Sequence, residues 1–370
     1  MASTRSWRRP LVVGMTGSVF ALLLVARVFS TVDVDPTIFV GFGEDSTRIN
    51  SYAEERLGHE VAKRPAMGHD GKYFLVQAHD PFVLAPDDNI TVIDRPIYRS
   101  QRMLYPLLAG GFGIFSSSMI TWGLLVVNVL ALGAGTYATA LVAQRMGGSP
   151  WWGLAFAFNI GIVSEINIDG AGVLAAALAF GAVAALLSGR EGWAIGLLSL
   201  AGLSREVMLV VTAGVGWWLW RAGRRRLAAA SVVVPFAVVG LWAVYLRFRL
   251  GWESGTGEAD FAFDPPFVGL VKAIPDWFDS PLDLVAGLAV LLLLGAYLYR
   301  TLHSNALVGW AFVGFVPLTL VLSELVWTYY FDSTRAVAPL ITAFVLMVFL
   351  GEESSVSAQP SVSGRPSVGV

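Results

Sequence analysis

The sequence predicts an all-α polytopic membrane protein with about ten transmembrane helices. Hydrophobic residues make up 55% of the 370 positions and charged residues only 14%, whereas a soluble domain is about a quarter charged. So few charges could not cover a water-exposed surface of this size. Apolar runs close to the roughly 20 residues that cross a bilayer recur along the chain. The 13 Trp and 22 Phe residues are typical of aromatic belts at membrane interfaces.

The first apolar run shares its layout with a secretory signal peptide. Arg5, Arg8 and Arg9 precede an apolar run from Pro10 to Ala26. This run is longer than the apolar part of a signal peptide, and no small-x-small cleavage site follows it. We therefore expect a first spanning helix that is retained in the mature protein.

One apolar segment, 104–117, is short and carries Pro106 and three glycines. Basic residues favour cytoplasmic loops, and both the N-terminus and the RAGRRR turn at 221–226 are basic. Both basic segments lie on the cytoplasmic side only if 104–117 does not cross the membrane. We therefore expect 104–117 to form a re-entrant or interfacial helix packed on protein. The predicted spans are then residues 10–30, 119–143, 150–165, 170–188, 192–204, 206–220, 227–247, 282–299, 306–327 and 336–350.

The same assignment sorts the charges to two faces, with both chain ends in the cytoplasm. Residues 1–350 are predicted to form one membrane-embedded domain, and the Ser/Pro/Gly-rich residues 351–370 a disordered cytoplasmic tail. Ionisable groups at helix ends favour a site at the membrane surface over a conduction path through it. The predicted extracytoplasmic segments are acidic or of mixed charge: 31–103, 165–169, 205–206, 248–281 and 328–335.

The first extracytoplasmic loop, which with its interfacial helix covers 31–118, is too long to be a simple connector. Its central part reads GHDGKYFLVQAHDPF at 68–82. Gly68 and Gly71 permit a tight turn around Asp70, and a short helix is predicted from Lys72 to His79. Asp70 would then lie at the helix N-terminus, where the helix dipole stabilises a carboxylate.

These motifs resemble a known family. G-H-D-G-K-Y-F followed by D-P, R-x-x-x-R and R-M-L-Y-P-L-L is similar to the first-loop signature G-Y-D-G-Q-F-Y-Y…D-P…R-x-x-R-I-x-Y-P. That signature occurs in bacterial membrane proteins of the GT-C superfamily of glycosyltransferases. S-R-E at 204–206 resembles the family's t-R-E-T motif, and F-D-S-T-R-A-V-A-P-L at 331–340 its late R-x-x-x-P-L segment. The chain departs from the family at His69, where the family has Tyr, and at Lys72, where it has Gln.

The resemblance implies a GT-C-like fold and an activity. The chain would be an inverting glycosyltransferase of a prokaryotic plasma membrane, with its active site on the extracytoplasmic face. It would move a sugar from a polyprenyl-phosphate donor to a cell-envelope glycan, lipid or protein, with a carboxylate as general base. The alternatives are a flippase or transporter for a lipid-linked or polar solute, and a scaffold subunit of a cell-envelope complex. No basic-aromatic surface in the sequence indicates nucleic-acid binding.

Sugar transfer from a polyprenyl phosphate needs a base, cations for the phosphate and an apolar groove for the lipid tail. Asp70 is the first candidate for the base and Asp45 its rival, although an aspartate beside a glycine is commonly a helix cap. Arginine suits bidentate phosphate binding, although Arg205 could pair locally with Glu206, and Arg335 could be an exposed loop charge. The donor phosphate candidates are Arg335, Arg205, Arg102 and Arg99. Candidate substrate contacts are Asp80, His79, Lys72, Tyr73, Glu206, Glu165 and Asp169, the last two of which could instead cap helices.

Metal and cofactor signals in the sequence are weak. The chain has no cysteine, which excludes thiolate ligands and disulfides. The D-x-D at Asp33 and Asp35 lacks the α/β domain in which that motif holds a metal, and histidines ten residues apart do not share one helix face. No histidine-based metal site is therefore expected, while a divalent cation held by loop carboxylates stays open. GAGTYA at 133–138 imitates a dinucleotide fingerprint, but it lies within a predicted span and indicates small-residue helix packing.

Overall fold

The computed structural model describes residues 8–31, 34–65, 68–251 and 263–350. The chain is nearly all helical, as predicted. The elements are α1 (Arg8–Phe29), α2 (Thr37–Val40), β1 (Phe42–Gly43), α3 (Thr47–Leu57), β2 (Lys63–Arg64), α4 (Gly71–His79), α5 (Pro86–Val92), α6 (Pro96–Ser100), α7 (Leu104–Gly110), α8 (Met119–Arg145), α9 (Leu154–Ala157), α10 (Ile160–Ile166), α11 (Gly172–Leu187), α12 (Glu191–Ser204), α13 (Leu209–Arg221), α14 (Arg225–Leu250), α15 (Val268–Trp277), α16 (Pro281–Leu302), α17 (Leu307–Phe312), α18 (Phe315–Leu320), α19 (Glu324–Thr328), α20 (Tyr330–Ala336) and α21 (Ala338–Leu350). Within these described ranges, three 3₁₀ segments accompany them, at Gly111–Ile114, Pro150–Gly153 and Glu206–Met208.

In the described parts of the chain, four helices are long and apolar enough to cross a membrane: α1, α8, α14 and α16. They hold 22 to 27 residues each, and at about 1.5 Å per residue each exceeds the roughly 30 Å hydrocarbon core. The pair α20 and α21, bent by 63°, is a fifth candidate if it forms one broken span. These helices support a membrane protein.

The other predicted spans are shorter or interrupted. Helices α11, α12 and α13 hold 16, 14 and 13 residues. The predicted spans 150–165 and 306–327 are each divided into short helical pieces. The count of ten spans therefore stays a prediction.

The segment 104–117 is also too short to cross a bilayer as one helix. Its helical part ends at Ile114, so it spans about 16 Å, roughly half of a hydrocarbon core. It packs on protein: the Tyr105 hydroxyl donates to the carbonyl oxygen of Leu124 at 2.9 Å, and Tyr105 is fully buried. This geometry agrees with a segment that does not cross by itself.

Small residues set the contact between α1 and α8. A Cβ added at Gly133 would overlap Ser18, and one at Gly17 would overlap Thr136. A Cβ at Gly135 would overlap the ring of Phe156. The GAGTYA segment is thus used for close helix packing, which confirms that interpretation.

The first loop forms a compact cap over this bundle. Strands β1 and β2 pair in parallel, with Phe42 opposite Lys63, and Phe42 also bridges to Gly68. Gly68 has a φ of +68°, and a Cβ there would overlap the carbonyl oxygen of Gly41. A Cβ at Gly71 would overlap the backbone oxygens of Val40 and Ile168. The two glycines therefore fix the turn that carries Asp70, and the predicted helix follows as α4.

The charged segments gather at two ends of the helices. At one end, Arg224 pairs with Glu191, and the Trp218 indole donates to the Asn305 carbonyl at 2.8 Å. The first loop meets the other end, where Arg64 donates to the carbonyl of Asn167 at 2.7 Å. The assignment of these ends to the cytoplasmic and extracytoplasmic sides stays a prediction.

Candidate active site

Asp70 occupies the position before α4, yet its carboxylate does not cap that helix. The carboxylate instead accepts hydrogen bonds from Arg99 Nη1 at 2.7 Å and from Arg102 Nη1 at 3.3 Å. Its side chain is 31% exposed. The helix-cap interpretation of Asp70 is therefore wrong. Its carboxylate contacts two arginine side chains and not the backbone of α4.

Arg99 lies in α6, and Arg102 lies in the short connection between α6 and α7. The Trp242 indole donates to the Ser100 carbonyl at 2.9 Å, which fixes this connection against α14. The Arg99 guanidinium lies 4.2 Å from the centre of the Tyr73 ring, a cation–π contact. Arg99 also donates to both Asp94 oxygens, at 3.1 and 3.3 Å. Tyr73, predicted to contact substrate, thus supports Arg99.

Arg102 links the first loop to the S-R-E motif. Its Nε and Nη2 atoms donate to the two Glu206 oxygens at 3.1 and 3.0 Å, a bidentate pair. Glu206 begins the 3₁₀ segment after α12, and the Arg102 side chain is 9% exposed. The local pairing of Arg205 with Glu206 is wrong, because Glu206 faces Arg102.

Glu165 is the centre of a second, more buried arrangement. Its Oε1 accepts hydrogen bonds from Arg205 Nη1 and Arg335 Nε, both at 3.0 Å. Its Oε2 accepts from the backbone N–H of Gly172 at 3.0 Å, so Glu165 also caps α11, as the capping alternative predicted. The Glu165 side chain is 3% exposed. Arg335 also pairs with Asp332 at 2.9 Å and is largely buried, so the exposed-loop interpretation of Arg335 is wrong.

The two arrangements meet at one cavity, which we call the ion-paired cavity. Its charged lining comes from separate parts of the chain: α4's N-terminus, the α6–α7 connection, α10, the residue after α12, and α20. About 10 Å³ is free inside, room for about one water molecule. The charged lining residues are Asp70, Arg102, Glu165, Arg205 and Arg335.

The arginines keep Asp70 ionised. Burial by itself would raise the pKa of the Asp70 carboxyl, but attraction to Arg99 and Arg102, and then to Arg335 and Arg205, outweighs it. The pKa therefore lies well below its usual range. In this arrangement Asp70 is a weak base, and it would become a stronger one if the arginines turned to another anion.

Two apolar compartments have lining residues that belong to the ion-paired cavity or adjoin its residues in the chain. The larger, which we call the Trp242 groove, holds about 570 Å³. Its wall is fastened by the Tyr245 hydroxyl, which donates to the Phe82 carbonyl at 2.7 Å. One of its lining residues, Met103, follows Arg102 of the ion-paired cavity in the chain. It is lined by Phe82, Leu84, Met103, Leu203, Val238, Leu241, Trp242 and Tyr245.

The smaller compartment lies on the other side of the S-R-E motif. About 50 Å³ is free inside, and it touches Glu165, Arg205 and Arg335. Val207 and Met208 follow Glu206 and line it, whereas Leu203 lines the Trp242 groove. The residues from 203 to 208 therefore separate the two apolar compartments.

Asp45 and Lys72 lie outside the ion-paired cavity. Asp45 is exposed in the turn before α3. Lys72 is 3% exposed, and its Nζ donates to Ser46 Oγ at 2.7 Å. Burial lowers the Lys72 pKa. Neither residue is among those that line the cavity, and the choice of Asp70 or Asp45 as the base stays a prediction.

His79 and Asp80 lie at the far end of α4, about 13 Å along the helix from Asp70. His79 Nδ1 lies 2.9 Å from the Leu75 carbonyl. The Asp80 carboxylate accepts the backbone N–H of Ala85 at 2.7 Å and so stabilises a turn. The structure does not bring these two residues to the cavity.

Asp169 is fully buried and adopts a left-handed backbone with a φ of +45°. Burial raises the pKa of its carboxyl well above the usual range, with Asn128, Arg64 and Tyr105 acting in the opposite direction. Burial therefore favours its neutral form, and Asp169 does not line the ion-paired cavity.

His69 was not among the predicted site residues, although it precedes Asp70. Its ring lies 5.7 Å from that of Phe331. Burial, followed by repulsion from Arg64 and Arg335, lowers the pKa of His69 to about 4. Asp332 was also missed, and its spacing of three residues from Arg335 on one helix was a usable signal.

Among the described residues, no three His, Asp or Glu side chains gather in a way that could hold a metal ion. Asp33 of the D-x-D lies outside the described residues. Asp35 accepts hydrogen bonds from Thr37, at 2.9 Å from its N–H and 2.6 Å from its hydroxyl, and so caps α2.

Comparison with known proteins adds no family assignment. No protein-family model, no curated protein and no solved structure matches the chain.

Proposed function

We propose that the chain is a GT-C type glycosyltransferase that transfers a sugar from a polyprenyl-phosphate donor to an extracytoplasmic acceptor. The observation that carries this proposal is the ion-paired cavity, where a partly exposed carboxylate and three arginines meet beside an apolar groove. Four of the family-like motifs each contribute a residue to its lining. These residues are Asp70 from G-H-D-G, Arg102 from R-M-L-Y-P, Arg205 from S-R-E and Arg335 from the R-x-x-x-P-L segment.

The arrangement suits a lipid phosphate. A tail in the Trp242 groove would end at Met103, beside Arg102, so that the phosphate would meet guanidinium groups at the edge of the ion-paired cavity. The free space in the cavity is too small for a sugar phosphate. Donor binding therefore requires the arginines to leave their present carboxylate partners and turn to the phosphate.

The same exchange would prepare the base. The acceptor oxygen forms a bond to the anomeric carbon while the bond from that carbon to the phosphate oxygen breaks. The phosphate leaves with the electron pair and is stabilised by the arginines, and the acceptor proton passes to Asp70. Because Arg99 and Arg102 would then face phosphate, the Asp70 pKa would rise, and the carboxylate would accept the proton more readily.

A transfer assay tests this proposal. Purified full-length protein is incubated with acceptor-containing membrane extract and a donor labelled in the sugar, either a polyprenyl-phosphate hexose or a polyprenyl-phosphate pentose. A nucleotide sugar with the same label is the matched control. We expect transfer from a polyprenyl-phosphate donor and none from the nucleotide sugar. Absence of turnover with both lipid donors, in extracts that support a known transferase of this class, would contradict the proposal.

A further inference from the structure

A second apolar groove lies at the opposite end of α12 from the ion-paired cavity. Helix α12 ends next to Arg205, which lines that cavity, and begins about 20 Å away at Glu191. The groove at its beginning holds about 520 Å³, and we call it the α12 groove. It is lined by Arg190, Glu191, Gly192, Trp193, Gly196, Leu197 and Leu200.

The floor of the α12 groove is open and apolar. No heavy atom lies within 4 Å of a Cβ added at Gly192 or Gly196. Trp193 stands beside these glycines with 72% of its surface exposed, and Leu197 and Leu200 continue the apolar surface. A floor of this kind fits a flexible hydrocarbon chain.

Arginines lie at and beside the rim of the α12 groove. Arg190 is exposed, and no ion pair involves it within the part of the chain that the structure describes. Glu191 pairs with Arg224, which places the exposed arginines of the 221–226 turn beside the groove. Arg225 lies over the Trp220 ring at 5.4 Å, a contact common where aromatic residues meet lipid headgroups. The rim thus combines several arginines with one carboxylate.

We propose that the α12 groove binds an anionic phospholipid, with an acyl chain along Gly192 and Gly196 and the phosphate at Arg190 and Arg224. Arginine binds phosphate in bidentate geometry, and basic residues next to a membrane attract anionic lipids. A zwitterionic lipid carries a cation that the arginine-rich rim repels. This site is independent of the proposed transferase activity, because it lies at the other end of α12.

Native mass spectrometry of the full-length protein in detergent tests the proposal. Phosphatidylglycerol and phosphatidylcholine with identical acyl chains are titrated separately. We expect phosphatidylglycerol to bind about tenfold more tightly, since the arginines attract its net negative headgroup. The double variant Arg190→Gln/Arg224→Gln should lose this preference, whereas Arg145→Gln, an equal change at another exposed arginine, should keep it.

The apolar part is tested by filling the groove. Gly196→Leu should weaken the binding of both lipids, and Gly192→Leu provides a second variant if the first does not fold. Gly295→Leu is the matched control, because a side chain there also meets no atom within 4 Å. Equal binding of the two lipids to the wild-type protein would overturn the proposal. So would unchanged binding in the arginine variant, or competition by glycerol 3-phosphate as strong as that by phosphatidylglycerol.

Discussion

Asp70 and Glu165 each lie between two arginines, but their surroundings differ. Asp70 is 31% exposed, whereas Glu165 is 3% exposed. The arginines that hold Asp70 have other acidic partners, Asp94 for Arg99 and Glu206 for Arg102. Under the proposed function, the ion pairs of Asp70 would serve the reaction, whereas those of Glu165 would serve the structure.

The ion pairs of Arg205 and Arg335 both use the Glu165 carboxylate. Among the described residues, Glu165 is the one acidic partner of Arg205. Arg335 pairs with both Glu165 and Asp332. A buried charge that loses its partner is strongly destabilising. We therefore expect Glu165 to hold α10, α12 and α20 together, and Asp70 to be free to exchange its partners.

The largest expected effect is on transfer activity. Asp70→Asn should lower the transfer rate by about 10²–10⁴-fold, the usual contribution of a general base. Its melting temperature should change little, because Arg99 and Arg102 keep Asp94 and Glu206. Asp45→Asn should keep wild-type activity, and full activity of Asp70→Asn would refute the assignment of the base.

The next effect is on stability. Glu165→Gln should lower the free energy of unfolding by about 3–5 kcal/mol, since it removes the buried carboxylate that Arg205 and Arg335 both contact. Denaturant titration followed by tryptophan fluorescence measures this difference. Asp332→Asn is the matched control and should cost far less, because Asp332 is 39% exposed and Arg335 retains Glu165. An equal loss of unfolding free energy in the Glu165 and Asp332 variants would contradict a special structural role for Glu165.

A smaller effect is expected at Arg102. Arg102→Lys keeps the charge but loses the bidentate geometry, so the KM for the lipid donor should rise about tenfold, as for the loss of a charged hydrogen bond. Initial rates at varied donor concentration measure this change. Arg56→Lys alters an exposed pair with Asp88 and should leave the KM unchanged. A KM for Arg102→Lys within twofold of wild type would place the phosphate elsewhere.

The smallest effect is a pH dependence of stability. The pKa of His69 is lowered to about 4 in the folded protein, below its unfolded value of about 6.5. Between these values the unfolded chain binds more protons, so stability is complete above about pH 6.5 and falls as the pH drops towards 4. The wild type should therefore be less stable at pH 5.8 than at pH 7.5, by about 1 kcal/mol. Melting curves of His69→Gln should show a smaller slope, and an unchanged slope would assign the dependence to other groups.

The sequence predicted the local parts of this site well. The glycines around Asp70 and the helix after it follow from short-range turn chemistry, and α4 begins within one residue of its predicted start. The approach of Glu165 to Arg205 and Arg335 joins positions 40 and 170 residues apart. Sequence spacing carries no information on such a contact, so Glu165 was assigned to substrate or to helix capping and not to an ion pair.

Hydropathy also did not predict where the apolar helices are interrupted. Residues 150–166 are apolar throughout most of their length, yet Asn159 divides them. Its side chain accepts the Gly161 N–H at 3.0 Å, which starts α10, and donates to the Ala338 carbonyl at 2.7 Å. A window average over apolar residues does not detect one capping residue with a distant partner.

Binding of the donor lipid without its sugar tests the central claim most directly. Polyprenyl phosphate and the uncharged polyprenol of equal length are titrated into the purified protein and followed by native mass spectrometry. We predict that the phosphate binds at least about tenfold more tightly than the alcohol, and that Arg102→Gln and Arg335→Gln each reduce this difference. Equal binding of the two lipids, or an unchanged difference in both arginine variants, would contradict a lipid-phosphate site at the ion-paired cavity.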